Sequence, residues 1–215
     1  MRSYGQFCAL ARGLDLVGQR WTLLIVRELL LGLRRYGELL DGLPGIGTNL
    51  LAQRLRELEE AGIVRRVPVR GDARAEAYEL TERGRALDPV LVELARWGMS
   101  PMRRPEQADR RRPAWYALAL RAAFRPEVAD EDELYELTLD GQTFHLDVRD
   151  RRVDARDGPA PEAALRIEAD VESFLLLATG ARDARSLERG KRLRVDGERA
   201  ALRRWLARFR LPTPA

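Results

Sequence analysis

Between Gly45 and Leu80 the chain reads GIGTNLLAQRLRELEEAGIVRRVPVRGDARAEAYEL. Leu51, Leu55 and Leu58 recur at spacings of four and three, which is the apolar stripe of a helix over Thr48–Ala61. Gly62 follows where a left-handed residue is wanted to stop a helix. Ile63 to Val69 then alternates as a strand, Gly71-Asp72-Ala73-Arg74 forms a loop, and Ala77 to Leu80 returns. Thr81 can cap a further helix from Glu82 to about Gly98, whose apolar face is Leu87, Val90, Leu91, Leu94 and Trp97. Few folds accommodate a helix, an abrupt stop, a basic hairpin and a second helix in that order.

Three helical patterns precede this segment. Phe7 to Val17 places Phe7, Leu10, Ala11 and Leu14 on one stripe. Arg20 to Leu33 is strongly apolar, with Trp21, Leu24, Ile25 and Leu29. Arg35 to Leu43 turns Tyr36, Leu39 and Leu40 inward and ends at Pro44-Gly45. The set is the sequence form of a winged helix-turn-helix, a fold that lays one helix in a DNA major groove with the hairpin beside it. On the Thr48–Ala61 helix the side chains expected to meet DNA are Thr48, Asn49, Gln53 and Arg54, because Arg suits guanine and Asn or Gln suits adenine. Arg56 falls too far round the helix in this reading. Arg65, Arg70 and Arg74 are the hairpin candidates, the last two flanking its tip, where they can grip phosphate or enter a minor groove.

The charge distribution agrees. Of 38 basic residues 37 are arginine and one is Lys191. Residues 1–104 hold 17 arginines against 13 acids, a net +4, whereas residues 105–215 hold 21 basic and 21 acidic groups. The excess positive charge lies wholly in the half that carries the helix and hairpin. Composition also narrows the chemistry. One cysteine, Cys8, and one histidine, His145, cannot build a Cys/His zinc site, so no metal is expected. The single lysine lacks the upstream glycine of a Walker phosphate loop. Gly45-Ile46-Gly47 begins a dinucleotide fingerprint, but Leu50 stands in place of its third glycine. His145 sits in an alternating strand pattern with no nucleophile elbow elsewhere, so no catalytic residue and no cofactor is expected. No apolar run reaches the ~18 residues a membrane span needs. A single cysteine precludes an intrachain disulfide, which suits the cytoplasm.

Met102 to Pro113, MRRPEQADRRRP, has no apolar period and two prolines, and reads as a linker. Domains are therefore expected at residues 1–101 and 114–215. The second contains a helix from Trp115 to Phe124. A hairpin of Leu134–Leu139 and Gln142–Val148 follows around Asp140-Gly141. Short strands follow at Arg152–Arg156 and Ala164–Ile167, then a helix from Val171 to Thr179 capped by Asp170 and stopped by Gly180. A strand at Lys191–Val195 and a helix from Glu198 to Phe209 close the chain. This is an α+β domain with helices on one side of an antiparallel sheet.

The first hundred residues resemble the HxlR-type transcriptional regulators, a branch of the winged-helix family related to the MarR regulators. The matching segments are Cys8-Ala9-Leu10-Ala11, LDLVGQRWTLLIVRELLLGLRRYGELL, LPGIGTNLLAQRLRELEEAGIVRR and AYELTERGRAL. The resemblance implies a homodimer joined through the N-terminal segment and the helix around Glu82–Gly98. It implies a repressor on a palindromic operator in double-stranded DNA, with Thr48–Ala61 as the recognition helix. Many members start that helix with Ser-Pro-Arg; this chain has Gly47-Thr48-Asn49. Cys8 matches a cysteine that in some members senses oxidants or electrophiles; a small residue packed at the dimer interface is the other reading. The second half is similar to the sterol carrier protein 2 fold through ALRIEADVESFLLLATG and GKRLRVDGERAALRRWLARF. That resemblance implies a lipid or other apolar ligand, with Phe144, Leu146, Phe174, Leu177, Trp205 and Phe209 as candidate pocket residues, or else as core. The alternative function is a lipid carrier or enzyme that uses the winged helix only to dimerise.

Overall fold

The computed structural model describes residues 3–69, 71–99 and 109–213, without the side chains of residues 72–74. The chain divides into two compact units, residues 1–91 and 92–215.

The first unit opens with helices α1 (Ala9–Val17), α2 (Thr22–Leu30) and α3 (Tyr36–Gly42), followed by α4 (Thr48–Glu60). Leu51, Leu55 and Leu58 of α4 are fully buried, and they join Ile25, Val26 and Leu29 of α2 and Leu39 of α3 in the core. The end of α4 is a Schellman stop. Ile63 N–H donates to the Leu58 carbonyl at 2.9 Å, Gly62 N–H donates to Glu59 at 2.9 Å, and Gly62 takes φ +66°. The hairpin consists of β2 (Val64–Val69) and β3 (Asp72–Leu80), paired antiparallel with a register shift between Pro68 and Val69. The strand β3 starts at Asp72, inside the segment expected to be loop. A two-residue strand β1 (Arg34–Arg35) pairs with Tyr78 and Ala77, so the sheet order is β1-β3-β2. Two residues have no periodicity, which is why the sequence did not disclose this strand.

The helix expected over Glu82–Gly98 is two: α5 (Glu82–Arg85) and α6 (Asp88–Met99), the latter carrying the division between the units. Pro89 lacks the N–H that would have continued the first helix. Thr81 caps α5 by accepting from Gly84 N–H at 3.1 Å, and its hydroxyl donates to the Gly62 carbonyl at 2.6 Å. One threonine thus ties the stop of α4 to the start of α5. A Cβ at Gly84 would lie 2.1 Å from the Ile63 carbonyl oxygen, so only glycine fits beneath the hairpin's root.

After the last part of α6 and residues 100–108, the second unit continues with α7 (Pro113–Ala123); most of the expected linker lies outside the described residues. Pro113 takes the first helical position, where a missing N–H costs nothing, so the helix starts within the segment read as linker. A short 3-10 turn (Pro126–Val128) leads to β4 (Glu133–Leu139) and β5 (Gln142–Arg149). They join at Asp140 and Gly141, both left-handed at φ +45° and +78°, as a two-residue hairpin turn demands. β6 (Arg152–Asp157), β7 (Leu165–Ala169), α8 (Val171–Ala178), α9 (Ala184–Arg189), β8 (Leu193–Gly197) and α10 (Arg199–Arg208) complete the unit.

The sheet runs β6-β5-β4-β7-β8, and β7 lies parallel to β4. The sheet is therefore mixed, not antiparallel as expected. The chain leaves β6 at one side and crosses to the far side of β4 through residues 158–164. Polar side chains hold that crossover. Ala160 N–H donates to Glu136 Oε2 at 2.7 Å, His145 Nδ1 donates to the Gly158 carbonyl at 2.9 Å, and Arg166 Nη2 donates to the Pro161 carbonyl at 2.9 Å. Glu136, His145 and Arg166 are register partners on one face of the sheet. The other face carries Tyr135, Leu137, Phe144 and Leu146 into the core.

That core also contains an ion cluster. Glu133 and Arg208 have side chains only 6% and 1% exposed, 2.6 Å apart. Arg204 donates to Glu133 through Nη2 at 2.6 Å, and Tyr135 donates its hydroxyl to Glu133 at 2.6 Å. Burial pushes the Glu133 carboxyl upward, but hydrogen bonds from Arg204 and Tyr135 and the charges of Arg204 and Arg208 leave it below the ordinary range. A carboxyl depressed in the folded state stabilises above its unfolded value and loses that contribution as pH falls. We expect Glu133→Gln to cost about 3–5 kcal/mol at neutral pH, since it breaks a buried pair. The gap to the unsubstituted chain should close as pH falls below the reference value of 4.5; chemical unfolding of both proteins from pH 7 to 3 measures it. Gly84→Ala is expected to cost about 1–3 kcal/mol through the clash with Ile63, read as a lowered denaturant midpoint at unchanged slope.

Candidate nucleic-acid interface

Because three leucines of α4 point inward, the opposite face is fixed. Asn49, Gln53, Arg56 and Glu60 fall within one narrow sector of the helix and are all exposed, with Thr48 at its N-terminal margin. Tyr36 donates its hydroxyl to the Thr48 carbonyl at 2.7 Å, which holds the first turn of α4 to α3. The exposed first turn presents free backbone N–H groups, the arrangement that receives a phosphate.

Arg54 is not on this face. Its side chain is only 12% exposed and its Nη1 donates to Glu57 at 2.5 Å. Its Nε and Nη2 reach the Arg20 carbonyl and Gln19 Oε1, each at 3.4 Å, in the turn between α1 and α2. Arg56, judged too far round in the sequence reading, occupies the middle of the exposed sector. The signal was present in the leucines. With 100° per residue, a stripe at 51, 55 and 58 sets 49, 53, 56 and 60 outward and turns 54 aside. Gln53 is exposed as expected, and its Nε2 donates to Glu57 Oε1 at 2.9 Å. Burial raises the Glu57 carboxyl, yet hydrogen bonds from Gln53 and Arg54 bring it below its ordinary value.

On the hairpin, Arg65 is exposed and pairs with Glu79 at 2.6 Å across the strands. Arg66 reaches Glu59 at 3.0 Å and lies over the Tyr78 ring at 5.5 Å, joining the hairpin to the end of α4. Arg70 and the side chain of Arg74 lie outside the described residues.

Cys8 is exposed at the start of α1. Around it the chain leaves Tyr4, Phe7, Leu10 and Leu14 open, and α6 leaves Val90, Leu94 and Trp97 open. Trp97 is 74% exposed, far from the usual state of a tryptophan.

In the second unit the six residues expected to line a pocket are all within the core at 1% exposure or less. Phe174 and Trp205 stack edge to face at 6.1 Å, Trp205 and Phe209 lie 5.9 Å apart, and Tyr135 meets Phe209 at 5.8 Å. These rings fill the space between sheet and helices. A cleft of about 280 Å³ lies instead on the outer side, lined by Tyr116 and Ala119 of α7, Leu175 and Leu176 of α8, and Leu211 and Pro212 beyond α10. None of the six expected residues lines it; alternation identified the inward positions but not that aromatic volume would close the gap between them.

Among the described residues no cluster of His, Cys, Asp and Glu is placed to hold a metal ion, and no helix is long and apolar enough to cross a membrane.

Comparison with known proteins follows this division. Residues 16–106 match the HxlR-like helix-turn-helix family model and residues 118–206 match the SCP-2 sterol transfer family model. An uncharacterised HTH-type transcriptional regulator of Mycobacterium tuberculosis is 47% identical over 98 residues, 46% of this chain and 61% of the relative. The chain thus spans about three fifths of that relative's length. An uncharacterised HTH-type transcriptional regulator of Synechocystis is 41% identical over 99 residues, 44% of this chain and 70% of the relative. The structure of the reduced form of the transcriptional regulator YodB from Bacillus subtilis has 35% identity and covers 43% of this chain and 92% of its own, with a TM-score of 0.37. With both halves matched in order, the chain belongs to the HxlR-like helix-turn-helix family of transcriptional regulators, and its second half matches the SCP-2 family.

Proposed function

We propose that the protein is a homodimeric repressor that binds a palindromic operator in double-stranded DNA in the cytoplasm. The observation that supports this is the sector Thr48, Asn49, Gln53 and Arg56 on α4, polar and exposed beside a hairpin rich in arginine. A module used only for dimerisation has no need of such a face. Asn49, Gln53 and Arg56 meet base edges in this reading, and Thr48 and the first turn of α4 meet phosphate. Arg65, Arg70 and Arg74 are the hairpin's phosphate contacts. In this reading the N-terminal segment, where Phe7 and Leu10 are uncovered, and α6, where Leu94 and Trp97 are uncovered, each meet the second copy.

Titration of the DNA upstream of the gene across a salt series tests the reading. A dimer neutralising ~8 phosphates should show a log–log slope near −7. Arg56→Ala should lower operator affinity about tenfold or more while barely changing that for unrelated DNA. Trp97→Glu should give a monomer in sedimentation and lose operator binding with it. Equal affinity of the unsubstituted protein for every sequence at low salt would sink the proposal.

Regulation has two proposed entry points. The cleft beside Tyr116 and Leu175 is apolar and of a size for a small lipid, and Cys8 lies in the dimer surface. Either can shift DNA binding only if ligand or modification favours one state of the dimer. We expect a medium-chain fatty acid to change operator affinity in the unsubstituted protein and not in Leu175→Arg. Diamide should change it in the unsubstituted protein and not in Cys8→Ala. A response that survives its variant removes that entry point.

A further inference from the structure

The exposed amide of Gln53 is held by a fixed acceptor. Its Nε2 donates to Glu57 Oε1 at 2.9 Å, while Glu57 Oε2 receives Arg54 Nη1 at 2.5 Å. Arg54 is in turn anchored in the α1–α2 turn through the Arg20 carbonyl and Gln19 Oε1. An ionised carboxylate accepts hydrogen bonds and cannot donate them. Glu57, braced by a guanidinium, therefore admits only one orientation of the Gln53 amide. The NH₂ group must face Glu57, leaving the carbonyl oxygen and one N–H directed away from it. An acceptor beside a donor is the pattern that complements the N6–H and N7 of adenine in the major groove. A guanine edge offers two acceptors and would meet the Gln53 oxygen with its own O6 or N7.

We propose that Arg54 and Glu57 are positioning residues that lock Gln53 to read adenine at one position of each operator half-site. The inference rests on the reading of α4 as the recognition helix. It assigns Arg54 a part in sequence recognition without contact to DNA, and it makes base choice depend on a residue three hydrogen bonds away from the base.

The test is selection of binding sites from a random duplex library by the full chain and by Gln53→Ala and Glu57→Gln, followed by competition with single-substituted sites. The unsubstituted protein should prefer adenine at one symmetric pair of positions by about tenfold or more. Gln53→Ala should erase the preference there and leave the remaining positions as they were. Glu57→Gln is nearly isosteric, but its carbonyl oxygen goes to Arg54, so its NH₂ faces Gln53 and turns that amide over. Adenine should then give way to guanine or thymine, which present acceptors. A loss of helix packing would weaken every position together and would not exchange one base for another. If Glu57→Gln fails to fold in a circular dichroism melt, Arg54→Met takes its place: it removes the brace on Glu57, so the adenine preference at that position should fall several-fold while the other positions hold, and an unchanged preference overturns the proposal. Retention of adenine by Glu57→Gln, or an unchanged site in Gln53→Ala, overturns the proposal while leaving DNA recognition by α4 intact. Absence of any selected site from the unsubstituted protein overturns both.

Discussion

The burial of Leu51, Leu55 and Leu58 is the constraint on which the first unit depends. Each is fully enclosed, and each contributes about 1.5–3 kcal/mol by leaving water. Together they set the rotation of α4 about its own axis far more firmly than any surface contact could. A helix turned by one residue, 100°, would carry a leucine out and a polar group in. Everything offered to solvent on that helix follows from this phase. So does the inward swing of Arg54, whose guanidinium finds Glu57 and the α1–α2 turn.

The second unit is organised by the opposite kind of interaction. A carboxylate and an arginine are buried together, and the cluster of Glu133, Arg204, Arg208 and Tyr135 ties the first strand of the sheet to the last helix of the chain. Such a pair is costly to desolvate and costlier to leave half-made, so it penalises any arrangement that separates β4 from α10. The aromatic rings of Phe174, Trp205 and Phe209 then fill the remaining volume. A domain filled in this way packs the six residues first considered for a ligand into its core, although Leu177 also borders a cleft with Arg182 and Leu206, and an apolar cleft opens between α7, α8 and the C-terminal segment.

Much of this was readable in the sequence because short-range chemistry decided it. Gly62, Asp140-Gly141, Thr81 and Asp170 each specify a backbone turn or cap through their own side chain or the lack of one, and each does so in the structure. The alternation of Leu137 and Leu139 with Thr138 likewise assigned a face to a strand. What escaped was long-range. Nothing local in Leu165–Ala169 says that it lies parallel to β4, because that depends on a crossover pinned by Glu136 and Arg166. Arg34–Arg35 becomes a strand only because β3 passes beside it. The exchange of Arg54 for Arg56 on the exposed face was a matter of phase, since two residues are about 160° apart around a helix, enough to separate a side chain that faces solvent from one that folds back.

The parallel pairing of β4 with β7 also has a consequence in time. β4 meets β5 across a two-residue turn, whereas Tyr135 finds Leu165 thirty residues later. Contacts of that separation form late, because the entropy of closing the intervening chain must be overcome first. During synthesis the helix–hairpin half emerges complete while the sheet behind it still lacks its other edge. The chain is therefore built so that the helix-turn-helix half can be in place before the sheet of the second half has closed.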